Sequence, residues 1–327
     1  MTYKIENVYL RDSVVVAGKL EYDGPIATYL DYMYKEKNLS FEDEEIEMLF
    51  TAIDLLMEKL KLTDDDISLA IGGELSNQLT TSSYTLRRFE IPFLGLYAAC
   101  STITEAIGLA SLLLQRADID NILVFTSSYN QSAERQFRNP VEYGGGHENT
   151  QTSTSTIAAS AILSKKKSSI KISMFTPGRV IDVDFKNSMD FGRAMAPAAI
   201  ETLLEHFENT KTTPNDYDLI LTGDLSSFGY NIVLRALKDI YGVVVNYMDC
   251  GLILYDIKKQ NVLAGGSGPG TVASVLLSYI KKEMLKKKYK RVILCATGIL
   301  MNPCMILQKN SLPAISHLIV LEVEEWL

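Results

Sequence analysis

Cys100 is the residue whose setting in the sequence best suits chemistry. It stands in residues 91–106, IPFLGLYAACSTITEA, where we expect a buried strand to run through two alanines into an amphipathic helix. At a helix N-terminus, free backbone N–H groups and the positive end of the helix dipole favour a thiolate. The same groups can hold an oxyanion or a carboxylate. The pattern therefore predicts a nucleophile or one wall of an anion pocket, with an inert buried cysteine as the alternative.

A catalytic cysteine of an acyl-transferring enzyme needs two further groups, usually histidines or a histidine and an asparagine. The chain has three histidines. We expect His206 on the surface of a helix over residues 197–207, His147 in a flexible polar loop, and His317 in the core or at a dimer interface. The sequence therefore predicts that Cys100 marks a vestigial nucleophile position and that the protein is not an enzyme. The alternative is an acyl-transferring enzyme that uses Cys100 with His147 or His317.

A glycine-rich loop over residues 264–271, AGGSGPGT, offers a second place where a ligand could approach the backbone. A phosphate-binding P-loop needs a lysine after its last glycine, but Thr271 follows Gly270, so nucleotide binding is disfavoured. Gly266 and Ser267 are candidate ligand contacts. The four cysteines, at positions 100, 250, 295 and 304, lack zinc-ligand spacing. We therefore expect no metal site and no cofactor.

Composition and charge limit the class of protein. The chain has 327 residues, of which 47% are hydrophobic and 22% charged, as in ordinary globular proteins. Its net charge of −8 would repel phosphate backbones, so nucleic acid is a poor candidate for a partner. The first residues lack the apolar core of a signal peptide. The longest apolar stretches, such as residues 107–114, are too short to span a bilayer, which predicts a soluble or peripheral protein.

Short apolar runs alternate with helical patterns along the chain. Residues 68–72, 122–125, 219–222 and 292–295 are predicted as buried strands, and Phe41–Leu60 and residues 197–207 as helices. Three segments recur in the same order: 64–76 with 215–226, 103–128 with 271–298, and 155–164 with 313–323. This order indicates a duplicated βα unit. Since residues 165–169 form a polar turn, we predict an N-terminal half over 1–165 and a C-terminal half over 166–327, packed as one unit.

The motifs that lie on this repeat resemble a known family. A duplicated βαβ core, with a cysteine entering the long helix of the first half, resembles the thiolase-like fold of condensing enzymes. The segments ACSTITE, TSSYNQSAERQFRNPVEYGGG, DFGRAMAPAA, DYDLILTGDLS, DCGLILY and LAGGSG resemble the stage V sporulation protein AD family of spore-forming bacteria. The resemblance runs from about residue 22 to residue 322. It implies two βαβαβαββ halves stacked as an α-β-α-β-α sandwich, and a homodimer.

The resemblance also implies a function. The family binds pyridine-2,6-dicarboxylic acid (dipicolinic acid) as part of the machinery that moves it into the spore, and is needed in sporulation and germination. Its expected location is the forespore or spore, peripheral to the inner membrane, with membrane proteins of the same operon as partners. Two departures weaken a catalytic interpretation. Tyr129 stands where the family often has a histidine, and Pro269-Gly270 stands where thiolases carry a histidine.

Dipicolinate is planar, aromatic and doubly negative, so its site would need cationic donors and a slot for the ring. Guanidinium groups suit carboxylates best. The expected ligand contacts are Cys100, Ser101, Thr102, Tyr129, Arg135, Arg138, Glu142, Tyr143, Gly266 and Ser267, with Arg193 as a weaker candidate. Alternatively, Arg135 or Arg138 forms a structural ion pair with Glu134 or Glu142. If calcium accompanies the ligand, Glu134 or Glu142 would supply its oxygen ligands.

A dense basic run, KKEMLKKKYKR, covers residues 281–291. Such a run is usually a solvated helix face. On an acidic protein it could instead contact anionic lipid or an acidic partner.

Overall fold

The structure is a computed structural model that describes residues 1–138, 146–244, 246–299 and 301–324. Its strands are β1 Tyr3–Lys4, β2 Tyr9–Ala17, β3 Tyr32–Met33, β4 Leu69–Gly73, β5 Phe93–Gly95, β6 Asn121–Ser128, β7 Ser153–Thr154, β8 Ile157–Ser164, β9 Ile170–Thr176, β10 Leu219–Thr222, β11 Tyr247–Asp249, β12 Gly266–Ser267, β13 Arg291–Ile299 and β14 Ala314–Val323. Its α-helices are α1 Lys19–Tyr22, α2 Phe41–Leu60, α3 Thr80–Leu86, α4 Thr102–Leu113, α5 Asn130–Phe137, α6 Phe191–Thr210, α7 Ser226–Tyr241, α8 Cys250–Leu254, α9 Pro269–Ser274, α10 Lys281–Leu285 and α11 Pro303–Leu307. A π-helical stretch, Val275–Ile280, joins α9 to α10.

The two halves of the chain have the same strand order. The first half is ordered β5-β4-β6-β8-β2 and the second β11-β10-β13-β14-β9. In each half the strands that correspond in sequence occupy the same place, and the two halves meet where Tyr9 of β2 pairs with Lys171 of β9. This matched order confirms the duplicated βαβαβαββ pattern. Strand β8 ends at Ser164 and β9 begins at Ile170, while the boundary at 165/166 stays a prediction.

The helices form three layers around the two halves of the sheet. Helix α2 packs on β2 and β8, and α6 packs on β13 and β14, so each covers one outer face. Helices α4 and α9 lie between the halves, where α4 touches β4 and β6 on one side and β13 and β14 on the other. This arrangement confirms the α-β-α-β-α sandwich. Because both faces of the central strands are covered, β4, β6, β10 and β13 are unbroken apolar runs rather than alternating ones.

Two of the predicted elements differ from the structure. Helix α6 begins at Phe191 rather than at Pro197, because Asp190 caps the earlier start by accepting a hydrogen bond from the Arg193 N–H. Pro197 lies inside the helix, where it lacks the N–H that would continue the hydrogen-bond ladder. Strand β5, expected to be buried, is an edge strand of three residues, and Leu94 is 45% exposed.

The sheet connections bring the two halves together at one place. The turn that carries Cys100, residues 99–101, is a 3₁₀ turn at the start of α4, and it packs against β13 and α9 of the second half. The glycine-rich loop over residues 264–271 leads into α9 of the second half, as the Cys100 turn leads into α4 of the first half. A site beside Cys100 is therefore built from both halves. None of the helices in the described parts of the chain is long and apolar enough to cross a membrane.

Candidate functional site

A cavity of about 280 Å³ opens beside Cys100. Its apolar wall includes Leu75, Leu79, Tyr97, Phe137, Phe191 and Ile299. Its polar wall includes Cys100, Arg138, Ser267 and the backbone of Gly268. Three of the predicted ligand contacts, Cys100, Arg138 and Ser267, thus lie together although they are far apart in sequence. A mostly apolar cleft with a few convergent polar groups is typical of a small-molecule site.

Local backbone geometry fixes Cys100 at the cavity. Ala99 has a φ of 48°, in the left-handed region that non-glycine residues rarely adopt. Such strain is common where a turn must present a functional side chain. Gly298 of β13 lets this turn approach closely, since a Cβ there would lie 2.2 Å from the carbonyl oxygen of Ala98.

Ser101 and Thr102, the other contacts predicted at the helix start, do not line the cavity. The Ser101 hydroxyl donates to the Ala98 carbonyl, and the Thr102 hydroxyl donates to the Ala99 carbonyl, each at 2.7 Å. Both side chains are buried. In this structure they stabilise the turn that positions Cys100.

Asp224, which follows β10, is the charged group directly behind Cys100. It is fully buried, and its carboxylate accepts hydrogen bonds from the Gly268 N–H at 3.0 Å and from the Thr297 hydroxyl at 3.4 Å. Burial raises the pKa of Asp224 to about 6, although hydrogen bonds from Cys100 and Gly268 oppose that rise. Burial and the neighbouring Asp224 carboxylate raise the pKa of the Cys100 thiol well above its ordinary value. Both effects disfavour the thiolate form of Cys100.

Arg138 forms the cationic part of the wall. Its side chain is 4% exposed and pairs with Glu134 at 2.7 Å, so the ion pair considered as an alternative in the sequence is present. The guanidinium also donates to the Thr152 carbonyl and to the Ser267 hydroxyl, the latter at 3.3 Å, and lies 4.9 Å from the centre of the Phe191 ring. Arg138 is thus rigidly held and still lines the cavity.

Other predicted contacts lie away from the cavity. Arg135 is partly exposed, pairs with Glu42 and lies over the Phe41 ring. Tyr129 is buried, and its hydroxyl donates to Glu36 at 2.9 Å. Neither side chain lines the cavity. Glu142 and Tyr143 fall outside the described residues.

Gly266 and Arg193 also have contacts of their own. Gly266 lies in β12, and a Cβ there would lie 2.8 Å from the Tyr255 ring, so the glycine serves close packing. Arg193, the weaker candidate, lies over the Phe228 ring and next to Asp190. Neither residue is among those that line the cavity.

The three histidines lie apart from the residues that line the Cys100 cavity. The expectation that His206 is on the surface is wrong: it is buried, its ring nitrogens hydrogen-bond to the hydroxyls of Thr176 and Tyr217 at 2.8 Å each, and burial lowers its pKa to about 4. His317 is buried and accepts a hydrogen bond from the Gly178 N–H at 3.2 Å. His147 is exposed. None of the three lines the Cys100 cavity.

Sequence reasoning missed two polar residues behind the cavity wall, Asp224 and Thr297. It also missed the ring-bearing lining residues Tyr97, Phe137 and Phe191. One signal was present: the repeated segments GELS and GDLS place Glu74 and Asp224 at corresponding positions after β4 and β10. Both carboxylates are fully buried. A buried acid at the carboxyl end of a parallel strand is a common position for a functional group.

No group of three or more His, Cys, Asp or Glu side chains is arranged to hold a metal ion in residues 1–138, 146–244, 246–299 and 301–324. The four cysteines are free thiols. Cys304, expected in a loop, lies in the short helix α11 and is exposed, whereas Cys295 is buried in β13.

The fold and the position of Cys100 define a thiolase-like protein, the class that includes condensing enzymes. The crystal structure of an OleA variant of Xanthomonas campestris matches with a TM-score of 0.64 over 98% of this chain and 99% of that one, at 12% identity. The 3-oxoacyl-[acyl-carrier-protein] synthase III of Aquifex aeolicus matches with a TM-score of 0.55 over 96% and 99%, at 11% identity. At such low identity these similarities establish the fold alone.

Sequence similarity identifies the family within that class. Residues 2–322 match the family model of stage V sporulation protein AD (SpoVAD). The stage V sporulation protein AD of Bacillus subtilis is 41% identical over 319 residues, covering 96% of this chain and 94% of the relative. The chain belongs to the stage V sporulation protein AD family.

Proposed function

We propose that this sporulation protein binds dipicolinate in the Cys100 cavity and catalyses no reaction. The observation that supports this most is the buried Arg138 guanidinium on the wall of a mostly apolar cavity. Guanidinium groups bind carboxylates with good geometry, and low local dielectric strengthens the contact.

The residues that line the cavity support an aromatic dicarboxylate as the ligand. The rings of Tyr97, Phe137 and Phe191 flank it and offer surfaces on which a pyridine ring can stack. The Ser267 hydroxyl lies beside Arg138 and can donate to the same carboxylate. Glu134, one of the two carboxylates considered as calcium ligands, already pairs with Arg138.

The state of Cys100 supports a binding role over catalysis. A thiolate is the reactive form of cysteine, and burial next to Asp224 disfavours it. The fold similarity to condensing enzymes favours acyl transfer as the second candidate function. Incubation with acyl-thioesters followed by mass spectrometry separates the two. We expect no adduct, and an adduct on Cys100 that disappears in Cys100→Ser would establish the second candidate.

Binding is tested by following the melting temperature at pH 6 as dipicolinate is added. At a ligand concentration 100 times the dissociation constant, the folded state should gain about 2.7 kcal/mol, which raises the melting temperature by on the order of 5 °C. Arg138→Lys keeps the charge but loses the planar fork, so it should reduce the shift at least by half. No shift in the wild type at saturating ligand would contradict the proposal.

Arg135→Lys is the matched control, since it makes the same substitution three residues away on a side chain outside the cavity. We expect it to keep the full shift. A loss of binding in Arg135→Lys would instead support the contact that the sequence predicted for Arg135.

The proposed location is the spore, peripheral to its inner membrane, with membrane proteins of the same operon as partners. The basic run over residues 281–291 gives little support to direct lipid contact, because many of its charges are already paired. Lys281 pairs with Asp12, Lys282 with Asp31, Lys286 and Lys288 with Glu283, and Arg291 with Glu322. We therefore propose that protein partners, rather than direct lipid contact, hold the protein at the membrane.

A further inference from the structure

The Cys100 cavity carries less positive charge than a doubly negative ligand needs. Among its described lining residues, Arg138 is the one cation, and Glu134 already compensates it at 2.7 Å. A dianion bound there would leave two negative charges without compensation in a largely buried place. Such uncompensated buried charge is costly, and the usual outcome is that a nearby group changes its protonation state.

Asp224 is the group placed to respond. Cys100 and Gly268 both line the cavity, and the Asp224 carboxylate lies directly behind them, accepting from the Gly268 N–H at 3.0 Å. It is fully buried and has no salt-bridge partner among the described residues. A proton on this carboxylate would remove one negative charge immediately behind the wall that a ligand carboxylate would face.

On the basis of the function proposed above, we propose that the cavity takes up its dicarboxylate together with one proton, which Asp224 accepts. The charged and titratable groups that act on Asp224 come from several elements. They are Cys100 before α4, Arg138 at the end of α5, Asp249 at the end of β11, and Cys250 in α8. The Asp249 carboxylate disfavours a second negative charge beside it, whereas the Cys100 thiol and Arg138 favour the ionised form. A bound anion would interact with Arg138 and so reduce the stabilisation that Arg138 gives to the ionised form of Asp224.

The intrinsic properties of Asp224 give the expected pH dependence. Burial raises its pKa to about 6, so it is mostly ionised at pH 7 in the empty protein. A bound anion would raise that pKa further. Carboxyl groups ordinarily ionise well below pH 6. Those of the ligand are therefore ionised throughout the range from pH 6 to pH 8, and they add no pH dependence to the dissociation constant. If binding requires protonated Asp224, the dissociation constant should rise about 50-fold between pH 6 and pH 8.

Isothermal titration calorimetry with pyridine-2,6-dicarboxylate measures the proton directly. Titrations at pH 7.5 in two buffers that differ in ionisation enthalpy give the number of protons taken up with the ligand. We expect close to one proton per ligand in the wild type, together with the 50-fold weakening between pH 6 and pH 8. This measurement uses only the wild-type chain, so it decides the proposal even if a variant fails to fold.

Asp224→Asn tests the assignment, because asparagine resembles the protonated carboxyl and cannot titrate. It should bind with no proton uptake and with an affinity that changes less than threefold between pH 6 and pH 8. Glu21→Gln is the control, since Glu21 is also a buried acid with a raised pKa but lies outside the cavity lining. It should keep the wild-type proton uptake.

The outcomes separate the two proposals. Binding without proton uptake in the wild type would overturn the role of Asp224 and leave the proposed function standing. Uptake that persists in Asp224→Asn, or disappears in Glu21→Gln, would also overturn that role. No binding at any pH between 6 and 8 would overturn the proposed function and this inference with it.

Discussion

At the scale of single residues, the contact between Cys100 and Asp224 decides what the site can do. A cysteine at a helix start is expected to be acidic and reactive. Here both groups are buried, and burial together with the Asp224 carboxylate raises the pKa of the Cys100 thiol, which disfavours the thiolate. Cys100 occupies the position of a nucleophile, but the neighbouring Asp224 carboxylate favours its thiol form over the thiolate.

Alkylation kinetics should report this difference. With iodoacetamide at pH 8, the exposed Cys304 should react first, and the buried Cys100 at least tenfold more slowly. Asp224→Asn removes the neighbouring negative charge, lowers the pKa of Cys100 and should speed its alkylation without changing the rate at Cys304. Peptide mass spectrometry gives the rate at each cysteine. Equal rates at Cys100 and Cys304 in the wild type would contradict a protonated, buried thiol.

Sequence reasoning found part of this site and missed the rest for a physical reason. Cys100, Arg138 and Ser267 were predicted and line one cavity. Asp224 was missed although its segment GDLS repeats GELS, because only the folded sheet brings it from the second half to Cys100. Thr297, which donates to Asp224, stands in no motif with distinctive chemistry. Ser101 and Thr102 were predicted as contacts because a hydroxyl near a helix start suggests ligand binding, yet their bonds to nearby carbonyls satisfy them locally.

At the scale of elements, a pair of buried acids ties helix α2 to the neighbouring strands. Glu45 of α2 accepts hydrogen bonds from Ser127 of β6 at 2.8 Å and from Ser132 of α5 at 3.0 Å. Glu74, after β4, accepts from Ser82 of α3. Burial and the nearby Glu74 raise the pKa of Glu45. Helix α5, which leads to Arg138, is therefore anchored to an acid that prefers to be protonated.

Glu45→Gln should make the protein more stable at pH 8 but not at pH 4. Around pH 4, Glu45 is mostly protonated in both the folded and the unfolded chain. Its titration therefore contributes little to the free energy of unfolding. As the pH rises towards the raised folded pKa, the unfolded chain ionises first, and the wild type loses stability. One pKa unit is worth about 1.4 kcal/mol, so the variant should gain on the order of 2 kcal/mol or more at pH 8.

Urea unfolding of both proteins at pH 4 and pH 8 measures this gain. Glu105→Gln is a suitable comparison, because Glu105 is a less buried acid on α4. A pH-independent difference between wild type and Glu45→Gln would show that the Glu45 carboxyl titrates normally in the folded protein.

The elements themselves were well predicted where they are buried on both sides. The four apolar runs proposed as strands all occur in the sheet, and 219–222 matches β10 at both ends. The errors fall where a local pattern competes with tertiary context. Pro197 suggested a helix start. However, α6 starts earlier, at Phe191, because Asp190 caps it there and the helix packs on β14.

At the scale of the whole molecule, the edge strand β5 offers a place for self-association. Leu94 is 45% exposed, and β5 is the terminal strand in the order of its half. Exposed apolar edges favour pairing with another strand. We therefore propose that two copies pair along β5 to form the homodimer that the family resemblance implies.

Light scattering after size-exclusion chromatography tests this pairing. The wild type should run as a dimer, and Leu94→Lys should shift it to a monomer, since a lysine on an edge strand disfavours pairing. Val243→Lys, at an exposed apolar residue after α7, is the control and should remain a dimer. A wild-type monomer at high concentration would rule out the dimer, and a dimeric Leu94→Lys would place the interface elsewhere.

The duplicated architecture explains why the whole could be predicted better than its site. Matching segments in the same order were enough to indicate two equivalent halves, and the structure gives them identical strand orders. The site, however, lies where the halves differ: Cys100 stands in the turn before α4 in one half, and Gly268 precedes α9 in the other. Sequence repetition reveals what the halves share, whereas function depends on what distinguishes them.

The central claim is that dipicolinate binds in the Cys100 cavity, and a crystal structure of the protein with dipicolinate at pH 6 tests it most directly. The pyridine ring should lie between Tyr97, Phe137 and Phe191, with one carboxylate within hydrogen-bond distance of the Arg138 guanidinium and the Ser267 hydroxyl. Dipicolinate bound elsewhere on the chain, or an empty Cys100 cavity at saturating ligand, would contradict it.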